Sequence, residues 1–369
     1  MKPRAFLLLF LLSGTLLSCV QDEDSDADMD AKEANQPSSE DYKNVLANQV
    51  DEVIIASCQT YAAELTDLVM AKDSFKAQLN AVKLTELRAE YQAAYRAYQA
   101  VAVHDFYATA NANLVNTTNL YPIDTAVLNN LISNRSYNFN TSANQRANGF
   151  PAIDYMLYGP ADVVAYLNAD PNRIDFLDAL INDMKAKADN LYNSWSGSLR
   201  NNFIENGGTA LGSSISVQLN QSLLYYEKHI RENKVGIPIG RLGPNDSPIA
   251  ADPSKIEAYY QAQAEGNEDF TLALLKASIE EMEDWYLGEN AQGSNGMGYD
   301  DLLNIRGHAS ADADIKAAFQ DIYQQIDNRN SISGDERLYN SLQKLVTLYK
   351  SDLFPLLNVQ DADGLNDGD

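Results

Sequence analysis

The sequence predicts an all-α protein built from up-and-down helical bundles. Apolar residues recur at three- and four-residue steps along the chain, no segment alternates convincingly with period two, and short polar connections rich in Gly and Asn join the periodic segments. Leu46, Val50, Val53, Tyr61, Leu65 and Leu68 set the first stripe, and Leu84, Leu87, Tyr91, Tyr95, Tyr98 and Val101 the second. The pattern returns at Ile174 to Trp195, Ile215 to Ile230, Leu272 to Tyr286, Ile315 to Ile326 and Leu338 to Leu353. The link Asn206-Gly207-Gly208 divides the folded part into two similar halves, residues 41–206 and 207–369, of roughly four helices each.

Ahead of the helices, Met1 to Ser18 reads as a signal peptide. Lys2 and Arg4 supply the positive start, and Ala5 to Leu12 an apolar run too short for an ordinary membrane span. Leu16-Leu17-Ser18-Cys19 has the pattern of a bacterial lipobox, so Cys19 is expected as the lipid-modified N-terminus of the mature chain. Residues 19–40 are acidic and nearly free of apolar side chains, a tether that cannot bury enough surface to fold. Its acidity resembles the surface-export signal of Bacteroidetes-type lipoproteins; a solvated spacer has the same composition. The expected location is the envelope of a Gram-negative bacterium, with the protein anchored to the outer membrane and its periplasmic or outward face left open.

Removing Met1–Ser18 takes the formal charge from −25 to −27. A chain so acidic is not built for nucleic acid or for anionic lipid, and its membrane contact is expected through the acyl chains alone. Cys58 is the one cysteine of the folded part, so no intramolecular disulfide is available, and it reads as core filler.

Two connections are too long to be simple turns. Residues 111–148 contain "NLYPIDTAVLNNLI", with a short helix after Pro122, and residues 234–254 contain four prolines and three glycines. Long ordered loops in a helical protein tend to carry function. Histidine is scarce: His104 lies beside Asp105 near the end of the second helix, His229 reads as a dipole partner near a helix C-terminus, and His308 follows Gly307 in a loop. No HExxH, Cys/His cluster, Glu-x-x-His pair, G-x-S-x-G elbow or glycine-rich phosphate loop is present. The tail "DADGLNDGD" suggests calcium through its spaced aspartates but lacks the twelfth-position Glu and the flanking helices of an EF-hand, so a solvated or domain-docking terminus is the preferred reading.

Four segments together resemble the imelysin family, also called the iron-regulated protein A family. "GFPAIDYMLYG" (Gly149 to Gly159) is similar to its G-x-H-x-x-E signature and the aromatic run that follows; "YQAAYRAYQAVAVHDF" looks like its early helix, "NLYPIDTAVL" its N-x-W/Y-P-x-D segment, and "LNDGD" its acidic ending. The resemblance covers residues 40–369. It implies two related four-helix bundles with a site in the crevice between them, a link to iron, and, for some members, metallopeptidase activity. Here the histidine position is Pro151 and the glutamate position Asp154, so the imidazole ligand is gone and the carboxylate is one methylene shorter.

Asp154 therefore reads either as a crevice contact or as an acid favourable at the positive end of its own helix. Arg96 and Asp124 are partners of each other or join that crevice, and Tyr98, His104 and Asp105 complete the candidate ligand-binding set. The reading that follows is an envelope lipoprotein binding a small ligand, a cation such as iron, or a peptide. A metallopeptidase with ligands rearranged around Asp154, His104 and Asp105, and a surface adhesion or scaffold protein, are the alternatives.

Overall fold

In the computed structural model the described residues are 36–106, 114–242, 247–290 and 293–361. Signal peptide, Cys19, nearly all of the tether, the segment 107–113 and the end of the acidic tail lie outside them. Among the described residues, no helix is long and apolar enough to cross a membrane.

The first helical rod runs from α1 (Ser39–Asn48) through a π-helical stretch (Gln49–Ile54) into α2 (Ile55–Ala77). Its start is fixed by a capping box in which Ser38 and Asp41 satisfy each other's backbone groups. After α3 (Ala81–Ala102), capped by the Asn80 side chain, come α4 (Leu114–Thr118), α5 (Thr125–Asn134), a 3-10 turn (Ser142–Ala147), α6 (Gly149–Tyr158) and α7 (Val163–Asn168). Next is α8 (Pro171–Ser194), where Asp170 caps the helix and Pro171 sits where its missing N–H costs nothing. A π-helical kink at Trp195–Leu199 leads into α9 (Arg200–Glu205).

The second half begins with α10 (Ser214–Tyr225), carried on by a π-helical segment (Tyr226–Gly236) into α11 (Ile237–Ile239). The connection expected from Lys234 thus starts later: the chain stays helical to Ile239 and stops at Gly240, whose φ of 85° is left-handed. Within it, β1 (Arg241–Leu242) and β2 (Ser247–Pro248) pair antiparallel, a two-residue hairpin that the period-two criterion is too coarse to detect. The rest is α12 (Tyr259–Glu265), α13 (Asp269–Leu287), α14 (Tyr299–Ile305), α15 (Ala309–Asp327), α16 (Arg337–Leu348) and α17 (Phe354–Leu356), the last two joined by a π turn.

The helices pack as an all-α fold. α2 lies against α3 and α8, and α15 against α16. Helices on either side of the Asn206–Gly208 link also pack directly on one another, α13 on α3 and α12 on α6. The α3 stripe explains the first of these contacts: Tyr91 and Tyr95 meet Phe270 of α13 at ring separations of 6.3 and 6.1 Å. Phe150 of α6 stacks flat on Tyr95, with centroids 4.2 Å apart. Cys58 is buried in this core, as core filler should be.

Candidate functional site

α6 begins at a position only glycine can occupy. Gly149 has a φ of 69°, and a Cβ there would meet the carbonyl oxygen of Thr118 at 1.8 Å. That approach draws the segment after Thr118 onto the start of α6, so Tyr121, Pro122 and Ile123 face Pro151 and Asp154 across a cavity of about 230 Å³. Ser254, Ile256, Ala258, Tyr259 and Tyr260 close the other wall. The Tyr121–Pro122 bond is cis.

The cavity wall is held by Asp154. α12 starts at Ala258, a non-glycine residue in the left-handed region (φ 51°) with no side-chain oxygen to cap the helix. Asp154 supplies the cap from α6: Oδ2 accepts the Tyr260 N–H at 2.7 Å and Oδ1 the Gln261 N–H at 3.1 Å. It is 1 % exposed. Burial pushes its carboxyl up to about 7, against the pull of the two amides, which favour the ionised form. The Tyr91 hydroxyl lies close enough to influence it, although it makes no hydrogen bond of good geometry.

Behind the same wall stands a buried polar network. Lys234 Nζ donates to Glu257 Oε2 and, at 2.8 Å, to Gln99 Oε1. Asn119 donates to Glu257 Oε1 at 2.6 Å and accepts from Tyr95 at 2.5 Å, while Thr271 donates to the Glu257 carbonyl at 2.8 Å. Burial lowers the Lys234 ammonium and its Glu257 partner opposes that shift. The residues on either side of Glu257 line the cavity, so this network fixes the wall from within while Asp154 fixes it from the front.

The imelysin family model (Peptidase M75) matches residues 54–349. The chain belongs to the imelysin family. Two solved structures share its fold. One, described as an iron-regulated protein A precursor, from Parabacteroides distasonis, is 16 % identical, with a TM-score of 0.69 over 87 % of this chain and 96 % of that one. The other, an imelysin-like protein from Psychrobacter arcticum, is 15 % identical, with a TM-score of 0.68 over 89 % of this chain and 98 % of that one. No curated protein matches the chain.

Of the residues singled out in this imelysin-family sequence, Pro151 and Asp154 line the cavity, and Gly149 positions them. Asp154 does not serve the start of its own helix; it caps α12. Asp124 caps α5, accepting the N–H groups of Ala126 and Val127 at 2.9 and 3.0 Å. Arg96 lies over the Phe270 ring at 5.6 Å, so the two do not pair as the sequence suggested. Tyr98 is fully buried in the aromatic core between Tyr61, Tyr95 and Phe150.

His104 is spent elsewhere, its Nε2 2.6 Å from Glu281 Oε1. Burial lowers His104 to about 3 and raises Glu281, in both cases disfavouring the charged form. Asp105 accepts the Leu114 N–H at 2.5 Å and is held up to about 7 by burial. It lines a smaller cavity of about 130 Å³ with Tyr225 and His229. His229 lies inside the Tyr226–Gly236 segment, against the Tyr225 ring, and not at a helix end.

His104, Asp105, Asp124 and Asp154 thus do not converge. Among the described residues, the acidic side chains that group closely enough to share an ion are Glu64, Asp67 and Glu90, none of them a predicted ligand. Nor does the cavity at Asp154 fit a resident metal ion: its lining offers one carboxylate, already holding two backbone amides, and no imidazole, thiolate or second acid. The sequence missed Tyr259, Tyr260, Glu257 and Lys234. The Pro/Gly-rich connection pointed toward them but was bounded at Ser254, where the cavity wall begins.

Proposed function

We propose that this imelysin-family protein is a cell-envelope lipoprotein that binds a small organic ligand in the cavity between α6, the Tyr121–Ile123 segment and the start of α12. One observation carries the reading: both long connections and the glycine-started helix, three separate stretches of sequence, meet at one cavity with a single buried carboxylate on its wall. Cavities of this kind, mostly apolar with few polar groups, suit small-molecule recognition. At about 230 Å³ it is below the roughly 300–1,000 Å³ of drug-sized pockets, so the occupant is small or is one side chain of a larger molecule. The donor set argues against proteolysis by a metal held at Asp154. The name of the Parabacteroides neighbour supports iron acquisition as the process served, with an organic molecule and not a bare ion as the occupant here. The lipobox at Cys19 supports anchoring to the outer membrane.

Saturation-transfer NMR with a library of small polar organic molecules tests the binding. Hits are expected with the native chain and lost on Ser254→Trp, which fills the cavity from a half-buried loop position. Hits that persist in a folded Ser254→Trp protein, or no hits, overturn the reading. Metabolic labelling with a palmitate analogue, expected on the native chain and absent from Cys19→Ala, tests the anchor.

A further inference from the structure

The chemistry of the occupant follows from the lining, on the reading that this cavity binds a small ligand. Three of the lining residues are tyrosines, Tyr121, Tyr259 and Tyr260, and five more are apolar, Pro122, Pro151, Ile123, Ile256 and Ala258. Asp154 is the one charged side chain among them, and no Lys or Arg faces the space. A carboxylate offers about four acceptor positions; the Tyr260 and Gln261 amides take two, and Asp154 is part of the cavity lining. Aromatic rings carry negative potential on their faces and attract organic cations, most strongly where water is displaced. The chain's formal charge of −25 adds a field that concentrates cations and repels anions.

We infer that the cavity takes an alkylammonium group, with its charge beside Asp154 and its alkyl part among the tyrosines and prolines. An anion would meet a buried carboxylate with no cationic side chain in the lining to offset it. A neutral molecule would leave the charge of that carboxylate unanswered. A bare metal ion finds too few donors.

Binding is coupled to protonation. A cation beside Asp154 favours its ionised form, so occupancy releases a proton from a carboxyl that burial holds up to about 7. The other titratable groups facing Asp154 are Tyr91 and Tyr95 from α3, Tyr158 from α6, and Tyr260 and Glu265 from α12. The tyrosines are all raised above their ordinary range and stay neutral.

Isothermal titration of the full-length chain at about pH 8 tests this, with choline and n-butylammonium as probes against their neutral carbon isosteres. At least one ammonium probe is expected to bind about tenfold or more tighter than its isostere. The difference should vanish in Asp154→Asn, and in the native chain the ammonium affinity should fall severalfold between about pH 8 and pH 6. A short lysine-containing peptide separates the sources: tighter binding than n-butylammonium assigns the group to a protein side chain, weaker binding to a free amine. Isosteres that bind as well as the ammonium probes overturn the inference and leave the small-ligand reading standing. A library without hits in the NMR experiment removes the reading itself. The pH series needs no variant, so misfolding of Asp154→Asn does not blunt the test.

Discussion

The carboxylate of Asp154 accepts a hydrogen bond from the backbone N–H of Tyr260 at 2.7 Å, across 106 residues of sequence. A helix whose own N-terminal residue, Ala258, has nothing to cap it is capped instead by a side chain from the other half of the chain. Asp154→Ala leaves the buried Gln261 amide and the part-buried Tyr260 amide without acceptors, and a loss of about 1–3 kcal/mol is expected. Asp154→Asn keeps an acceptor and should lose less. Urea unfolding midpoints of the two variants check the order; equal losses would point to charge and not to capping.

Stability should fall as pH rises from about 5 to about 8. Asp154, Asp105 and Asp284 are each held up to about 7 and Asp300 to about 6, burial being the largest cause in every case. Their unfolded counterparts titrate near 4, so the native state binds more protons in between. The stability they contribute is fully present below about pH 4 and lost as pH rises through about 7. His104 and His229, lowered to about 3 and about 4 by burial, act the other way: the unfolded chain takes up protons below about 6.5 and the native chain does not. Four carboxyls outweigh two imidazoles, and urea midpoints at about pH 5.5 and pH 8 give the sign.

Gly149→Ala should be among the most damaging single substitutions in the protein. Its backbone lies in the left-handed region, and the new methyl would fall on the Thr118 carbonyl. Left-handed strain of roughly 1–2 kcal/mol and overpacking of about 1–3 kcal/mol together predict a loss of about 2–5 kcal/mol. Thermal unfolding checks it, and a loss below about 1 kcal/mol would mean that α6 does not sit this close to Thr118.

The Lys234–Glu257 pair is buried on both sides, 4 % and 2 % exposed. Lys234→Met alone strands the Glu257 carboxylate and should cost about 3–5 kcal/mol. Glu257→Gln in the same chain should recover much of that loss. A double-mutant cycle reads the coupling, and additive losses would show that the two charges do not depend on each other.

How much of this was legible in the sequence follows from the range of the interactions. Helices set by periodic stripes, such as Leu84 to Val101 in α3, were readable because their signal repeats locally. The helix after Pro122 was readable from a proline and a following apolar run. Individual side-chain fates were not. Asp154 and Asp124 look alike in sequence, each an acid near a helix start, yet one caps its own helix and the other a helix from the second half. Tyr98 and His104 lie in a family-like segment, but the stripe that makes α3 a helix turns Tyr98 into the core, and His104 is buried in the turn just past the end of α3. The cavity was half visible, through Pro151 and the "NLYPID" stretch; its other wall depends on long-range contacts, such as that of Asp154 with the Tyr260 amide, that no local pattern encodes.

The central claim is that the two long connections and the start of α6 form one small-ligand cavity. Amide NMR of the chain labelled with 15N-tyrosine tests it most directly, because Tyr121, Tyr259 and Tyr260 all line the space and the Tyr260 amide is bonded to Asp154. With a ligand found in the library, the resonances of these three tyrosines should shift together in the native chain and stay still in Ser254→Trp. A ligand that binds while they remain unmoved would contradict the account.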